Sequence, residues 1–179
     1  MLGVDPGTAV MGYGVVTTAQ SPRPKAQRLA GVPSLAAAIR LVECGVIRTR
    51  PTDSLAVRLG ILFDGVTELV ERHHPDAVAV EGLFHGRNAR SALILGHARG
   101  VVLLAATRAG LTVAEISPAE VKRAVTGTGA ATKSQVGAMV MRLLRLASSP
   151  APADAADGVA IALTHLLRVR PRARMMVGR

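Results

Sequence analysis

The chain has 179 residues, 49% of them hydrophobic and only 2% aromatic, which excludes wholesale disorder and predicts a core of Ala, Val, Leu and Ile. That length suits one domain of ordinary size, able to bury roughly 70% of the surface its unfolded form exposes. Its 22 Lys and Arg against 12 Asp and Glu give a formal net charge of +10, a balance that favours a polyanionic partner, most often nucleic acid.

In chain order, residues 2–4 form a short apolar run ending at Asp5, ahead of the turn residues Pro6 and Gly7. Residues 11–18 (MGYGVVTT) then read as the second strand of a hairpin. Only four residues precede Asp5, so a few native N-terminal residues are expected to be missing. Residues 19–42 are expected to be an extended hairpin loop, because AQSPRPKAQRLAGVP is rich in Pro and small polar residues. Within it, Ser34 is placed to cap a short helix over LAAAIRLV. The chain returns to strand at 43–49 (ECGVIRT), giving a three-stranded antiparallel start.

Helix and strand alternate from there. Leu55, Leu59, Leu62, Val66 and Leu69 recur at helical spacing, predicting an amphipathic helix capped near Asp53. Residues 76–80 form an apolar strand leading into Glu81, and 87–109 read as a long helix whose Gly96 and Gly100 permit close packing. Residues 111–116 make a further strand. Ser117-Pro118-Ala119-Glu120 has the form of a capping box, and Thr132-Lys133-Ser134-Gln135 repeats it. Pro152 starts the last helix, over 153–167. The elements predict an α/β fold, a mixed five-stranded sheet with helices on both faces. Residues 1–168 form a single domain on this reading, and 169–179 form a basic, disordered tail.

Cys44 is the single cysteine, which excludes an intramolecular disulfide and fits a reducing compartment. The opening MLGVDPG carries no secretory pattern. The most apolar stretch, residues 91–109, contains His97, Arg99 and Arg108 and so does not read as a membrane span. A soluble cytoplasmic protein is expected.

Of the twelve acids, Asp53, Asp64, Glu68, Glu71, Asp76 and Glu120 sit where helix caps and solvent-facing positions explain them. Glu43 and Glu115 lie in or beside strands without an obvious partner. Four remain. Asp5 and Glu81 each end an apolar strand, although an Asx-turn would also explain the first and a simple strand end the second. In open α/β sheets ligands bind at that carboxyl edge. Asp154 and Asp157 are three residues apart on one helix, so two negative charges face the same way. The helix N-terminus compensates by about 0.3–1 kcal/mol, and a divalent cation by far more. Their small neighbours in ADAADGVAIA let this helix lie close against a sheet. Oxygen-only ligands, with no Cys/His zinc spacing, suit Mg²⁺ or Mn²⁺. Two such ions serve in-line phosphoryl displacement, so a basic chain with this site reads as a metal-dependent nuclease.

GVDPGTAVMGYGVV, VEGLFHGRNARSALILGHARG, SPAEVKRAVTGTGAATKSQV and ADAADGVAIALTH, in this order and spacing, resemble the RuvC-type Holliday junction resolvases. The resemblance covers nearly the whole chain and implies a ribonuclease H-like fold. It implies a homodimeric endonuclease that makes symmetric nicks in four-way DNA junctions, working with a branch-migration motor complex of the RuvA and RuvB type. The family's four metal-binding carboxylates fall on Asp5, Glu81, Asp154 and Asp157, expected to hold two ions. Its junction-facing aromatic falls on Phe84, and its basic residues near the site on Lys122 and Lys133. That gives a reason for Lys in a chain where Arg supplies 19 of the 22 cations. Arg87 and Arg90 are expected to hold the DNA backbone. Residues 19–42 exceed the family's usual hairpin connection. Three rivals stand beside this reading. The Asp-Pro-Gly-Thr hairpin also resembles the phosphate loops of actin-like ATPases, but those need two such domains. A non-catalytic DNA-binding scaffold and a ribonuclease H-like nuclease of other specificity are the others.

Overall fold

The computed structural model describes residues 1–18, 39–82 and 89–169. Five strands form one sheet: β1 (Leu2–Asp5), β2 (Val10–Thr18), β3 (Ile39–Arg48), β4 (Ala77–Glu81) and β5 (Thr112–Ile116). Their spatial order is β3-β2-β1-β4-β5. The first three pair antiparallel, whereas β4 and β5 run parallel to β1. The helices are α1 (Leu55–His73), α2 (Ala89–Arg108), α3 (Pro118–Thr126), α4 (Lys133–Leu144) and α5 (Ala153–Val169). The expected mixed α/β sheet is therefore present.

Strand periodicity divides the core into two layers. Leu2 and Val4 of β1, with Val78 and Val80 of β4, pack beneath α1 and α2 against Leu62, Val66, Ala98 and Val102. Ala79 and Ile116 face the other way, into a layer closed by Val121 and Val125 of α3, Val136 and Val140 of α4, and Val159 to Leu163 of α5. The pleat therefore turns residues 3 and 5 of β1, and 79 and 81 of β4, toward α5.

Local signals set most helix starts. Both capping boxes form: Ser117 and Glu120 exchange bonds at the head of α3, and Thr132 and Gln135 at the head of α4. The α1 cap is one residue from the expected one, because Ser54 Oγ and not Asp53 accepts from Val57 N. The expected helix over LAAAIRLV is overturned at its C-terminal end. Residues 39–42 belong to β3, where Ile39, Arg40 and Leu41 pair with Thr18, Thr17 and Val16. The rest of that segment, with residues 19–38 of the extended loop and 170–179 of the basic tail, lies outside the described residues, whereas Val169, expected in the tail, closes α5.

Glu43 and Glu115 do have partners. Glu43 accepts from the Tyr13 hydroxyl at 2.7 Å and meets Arg72 and His73 at the end of α1. Glu115 pairs with Arg99 at 2.5 Å. By length and composition alone α2 would suffice to cross a bilayer. Its Ala98, Val102, Ala105 and Ala106 are buried in the core, and Arg99 ties the helix to β5.

Candidate active site

The sheet delivers two carboxylates to one edge. The parallel register sets Val4 beside Val80, so Asp5 and Glu81 leave adjacent strands at their carboxyl ends. Glu81 still pairs with Ile116 of β5, and one further bond, Gly82 N to Ile116 O at 2.8 Å, extends that ladder past it.

The other two come from the first turns of α5, which crosses β1 and β2 at unusually close range. A Cβ at Gly12 would lie 1.9 Å from the Asp154 carbonyl oxygen, and one at Gly14 would lie 2.5 Å from the Val159 Cα. No side chain fits at either position, so the spacing of MGYGVV is what lets the helix descend onto the sheet. In consequence carboxylate oxygens of Asp5, Asp154 and Asp157 all lie within 4.8 Å of one another. Glu81 joins through Asp5: the two side chains share a hydrogen bond, Asp5 carboxyl to Glu81 carboxylate.

Such crowding has an electrostatic signature. Burial first, then the charges of Glu81 and Asp157, push the Asp5 carboxyl up to about 8. Burial also raises Glu81, against the opposing pull of the Asp5 hydrogen bond. Lys133 offsets part of the repulsion from α4. Its Nζ lies 2.6 Å from Asp157 Oδ2, and that hydrogen bond raises the ammonium above its ordinary value. A cavity of about 260 Å³ opens over the group, lined by Asp5, Glu81, Asp157, Lys122 and Lys133 with an apolar wall that includes Val121, Val136 and Ile161. Convergent oxygens on a partly desolvated floor, with excess negative charge that a proton and Lys133 relieve in part, are the donor set a hard divalent cation requires. Asp5, Glu81, Asp154 and Asp157 could hold it.

Six of the nine residues singled out in the sequence thus come together at one site. Arg90 lies in the first turn of α2. Phe84 and Arg87 lie outside the described residues. One further feature has no cue in the sequence: the turn after Asp5 is gripped by Thr49 and by Arg58 of α1, through bonds to Thr8.

Comparison with known proteins agrees with this geometry. The family model described as crossover junction endodeoxyribonuclease RuvC matches residues 1–165. A protein of that name from Halorhodospira halophila is 48% identical over 165 residues, 92% of this chain and 88% of that one. Another from Rubrobacter xylanophilus is 47% identical over all 179 residues, covering 91% of its own length. Among solved structures, Thermus thermophilus RuvC in complex with a Holliday junction substrate superposes with a TM-score of 0.79 at 37% identity, over 93% of this chain and 92% of that chain. The yeast mitochondrial Holliday junction resolvase Ydc2, at 11% identity and a TM-score of 0.58, shares the fold. The chain belongs to the crossover junction endodeoxyribonuclease RuvC family, with its ribonuclease H-like fold.

Proposed function

We propose that this protein is a Holliday junction resolvase, an endonuclease that makes paired, symmetric nicks in four-way DNA junctions during recombination and repair. The observation that carries the reading is the meeting of Asp5, Asp154 and Asp157 within 4.8 Å, with Glu81 bonded to Asp5, in a family of junction endonucleases.

Asp5, Glu81, Asp154 and Asp157 would hold two Mg²⁺ or Mn²⁺ ions in this account. When bound, such ions polarise the attacking water and offset charge on the phosphate and the leaving oxygen. The chain's own groups do the rest. Asp5 gives up its proton and the four carboxylates turn their oxygens to the cavity. Lys133 leaves Asp157 and, with Lys122, brings an ammonium to the scissile phosphate, where fixed positive charge stabilises the transition state. The apolar wall of Val121, Val136 and Ile161 limits competing water. In-line attack leaves a 5′-phosphate and a 3′-hydroxyl.

Phe84 stacks on or wedges against unpaired bases, a contact worth about 1–3 kcal/mol per base. Arg87 and Arg90 grip the backbone, as the net charge of +10 favours. A second copy docks on α2, whose Leu93 and Leu104 are 65% and 53% exposed beside a groove at Gly96 and Gly100. Two sites related by a two-fold axis suit symmetric nicking. The dimer works in the cytoplasm with RuvA- and RuvB-type motor proteins.

A panel of synthetic four-way junction, flap and RNA–DNA hybrid substrates tests the reading. Symmetric, metal-dependent nicks confined to the junction are expected; equal cleavage of flap or hybrid would replace it with a ribonuclease H-like nuclease of other specificity.

A further inference from the structure

We propose that Arg58 is a positioning residue for the reaction, acting on Asp5 through the turn that joins β1 to β2. The proposal rests on the nuclease reading above, in which Asp5 holds metal.

β1 is only four residues long, and its pairing with β2 ends at Asp5 opposite Gly12. Residues 6–9 therefore carry the chain from Asp5 to β2 without a ladder of their own. The turn is tight, since a Cβ at Gly7 would lie 2.1 Å from the Val10 carbonyl oxygen. What fixes it comes from elsewhere in the chain. The Arg58 Nε–H is shared between the Thr8 carbonyl oxygen at 3.2 Å and Thr49 Oγ1 at 3.0 Å, while Nη2 donates to Thr8 Oγ1 at 3.0 Å. Thr49, itself buried, donates its hydroxyl to the same Thr8 carbonyl at 2.5 Å and its N–H to Ala9 O at 3.1 Å.

Three donor contacts thus converge on Thr8 and another on Ala9, in the turn that follows Asp5. Arg58 is well suited to this, because its rigid planar fork presents Nε–H and Nη2–H to a carbonyl and a hydroxyl in a fixed geometry that the single ammonium of a lysine does not reproduce. The backbone so held is continuous with Asp5, which must stay close to Asp154 and Asp157 despite their repulsion. Groups that orient metal ligands in this indirect way commonly change metal affinity or rate by about 10–100-fold when removed.

The test compares wild type with Arg58→Met, Arg58→Lys and Thr49→Val, reading Mn²⁺ binding by calorimetry, junction affinity in Ca²⁺, single-turnover cleavage and melting temperature. Arg58→Met is expected to weaken Mn²⁺ binding and slow cleavage about tenfold each, with junction affinity nearly unchanged. Arg58→Lys should recover part of the loss. Thr49→Val should move both readouts the same way by less, and it decides the matter if Arg58→Met does not fold. Unchanged Mn²⁺ affinity and cleavage overturn the proposal. A loss confined to junction affinity also overturns it, making Arg58 a phosphate contact instead. Should the wild type bind Mn²⁺ but leave junctions uncut, the nuclease reading fails, and the Mn²⁺ titrations still decide the role of Arg58.

Discussion

Lys133 Nζ and Asp157 Oδ2 stand 2.6 Å apart across the cavity mouth, joining the head of α4 to the second turn of α5. The lysine side chain is 68% exposed, so the pair adds little to stability, about 1 kcal/mol at most. Its value is electrostatic: it brings a cation to carboxylates that burial and mutual repulsion disfavour. Lys133→Met is expected to leave the melting temperature nearly unchanged while slowing single-turnover cleavage about a hundredfold. A stability loss without a rate loss would make the pair structural.

The raised Asp5 carboxyl makes a signed prediction for the metal-free protein. The folded side chain keeps its proton up to about pH 8, whereas an unfolded aspartate loses it near 3.9. Between those values the native state binds more protons, so this group's contribution to stability falls as pH rises. In EDTA the melting temperature should decline from pH 5 to pH 8 more steeply for wild type than for Asp5→Asn. At pH 8 the variant should be the more stable by about 1 kcal/mol or more, since each tenfold change in proton affinity is worth about 1.4 kcal/mol. Calorimetry across that range checks it, and parallel curves would contradict it. Metal displaces the proton, so Mg²⁺ or Mn²⁺ should raise the melting temperature most at the alkaline end.

Gly12 sets how deeply α5 sits. A Cβ there would meet the Asp154 carbonyl oxygen at 1.9 Å, a backbone contact that cannot be relieved by moving a side chain. Gly12→Ala should cost about 3 kcal/mol or more and abolish metal binding, because α5 must lift and carry Asp154 and Asp157 from Asp5. Gly60, inside α1, is the control, because a Cβ there would have nothing within 4 Å. Gly60→Ala should stabilise by about 0.5–1 kcal/mol. Urea denaturation compares the two, and equal effects would remove the close contact from the account.

The proposed dimer puts α2 under test. Leu104→Lys places a charge on the exposed face beside the Gly96 and Gly100 groove. Analytical ultracentrifugation should find this variant monomeric at concentrations where wild type is a dimer. Its cleavage should turn from paired nicks into single ones. A variant that stays dimeric moves the interface off this helix.

Much of this site is legible in the sequence because its signals are local. Apolar runs ending in Asp5 and Glu81 read as strand ends, the Asp154 and Asp157 spacing reads as one helix face, and both capping boxes are four-residue patterns. Features that depend on distant pairing are not legible. Ile39 to Leu41 sit in an alanine-rich run that favours helix, yet pairing with β2 draws them into strand. Glu43 meets Arg72 and His73 across about thirty residues of chain, and Arg58 reaches Thr8 across 50. No short-range pattern encodes such contacts. The glycines of MGYGVV are visible in the sequence, but their purpose as a seat for α5 emerges only with the helix against them.

The central proposal is that the carboxylates meeting at Asp5 would hold the metal on which junction cleavage depends. Its most direct measurement is nicking of a synthetic four-way junction by wild type and Asp5→Asn across a Mg²⁺ titration, with binding followed in parallel. The account predicts paired nicks by wild type only when Mg²⁺ is present, and an Asp5→Asn protein that binds the junction as tightly but leaves it intact at every concentration. Cleavage by Asp5→Asn at a rate near wild type would contradict it.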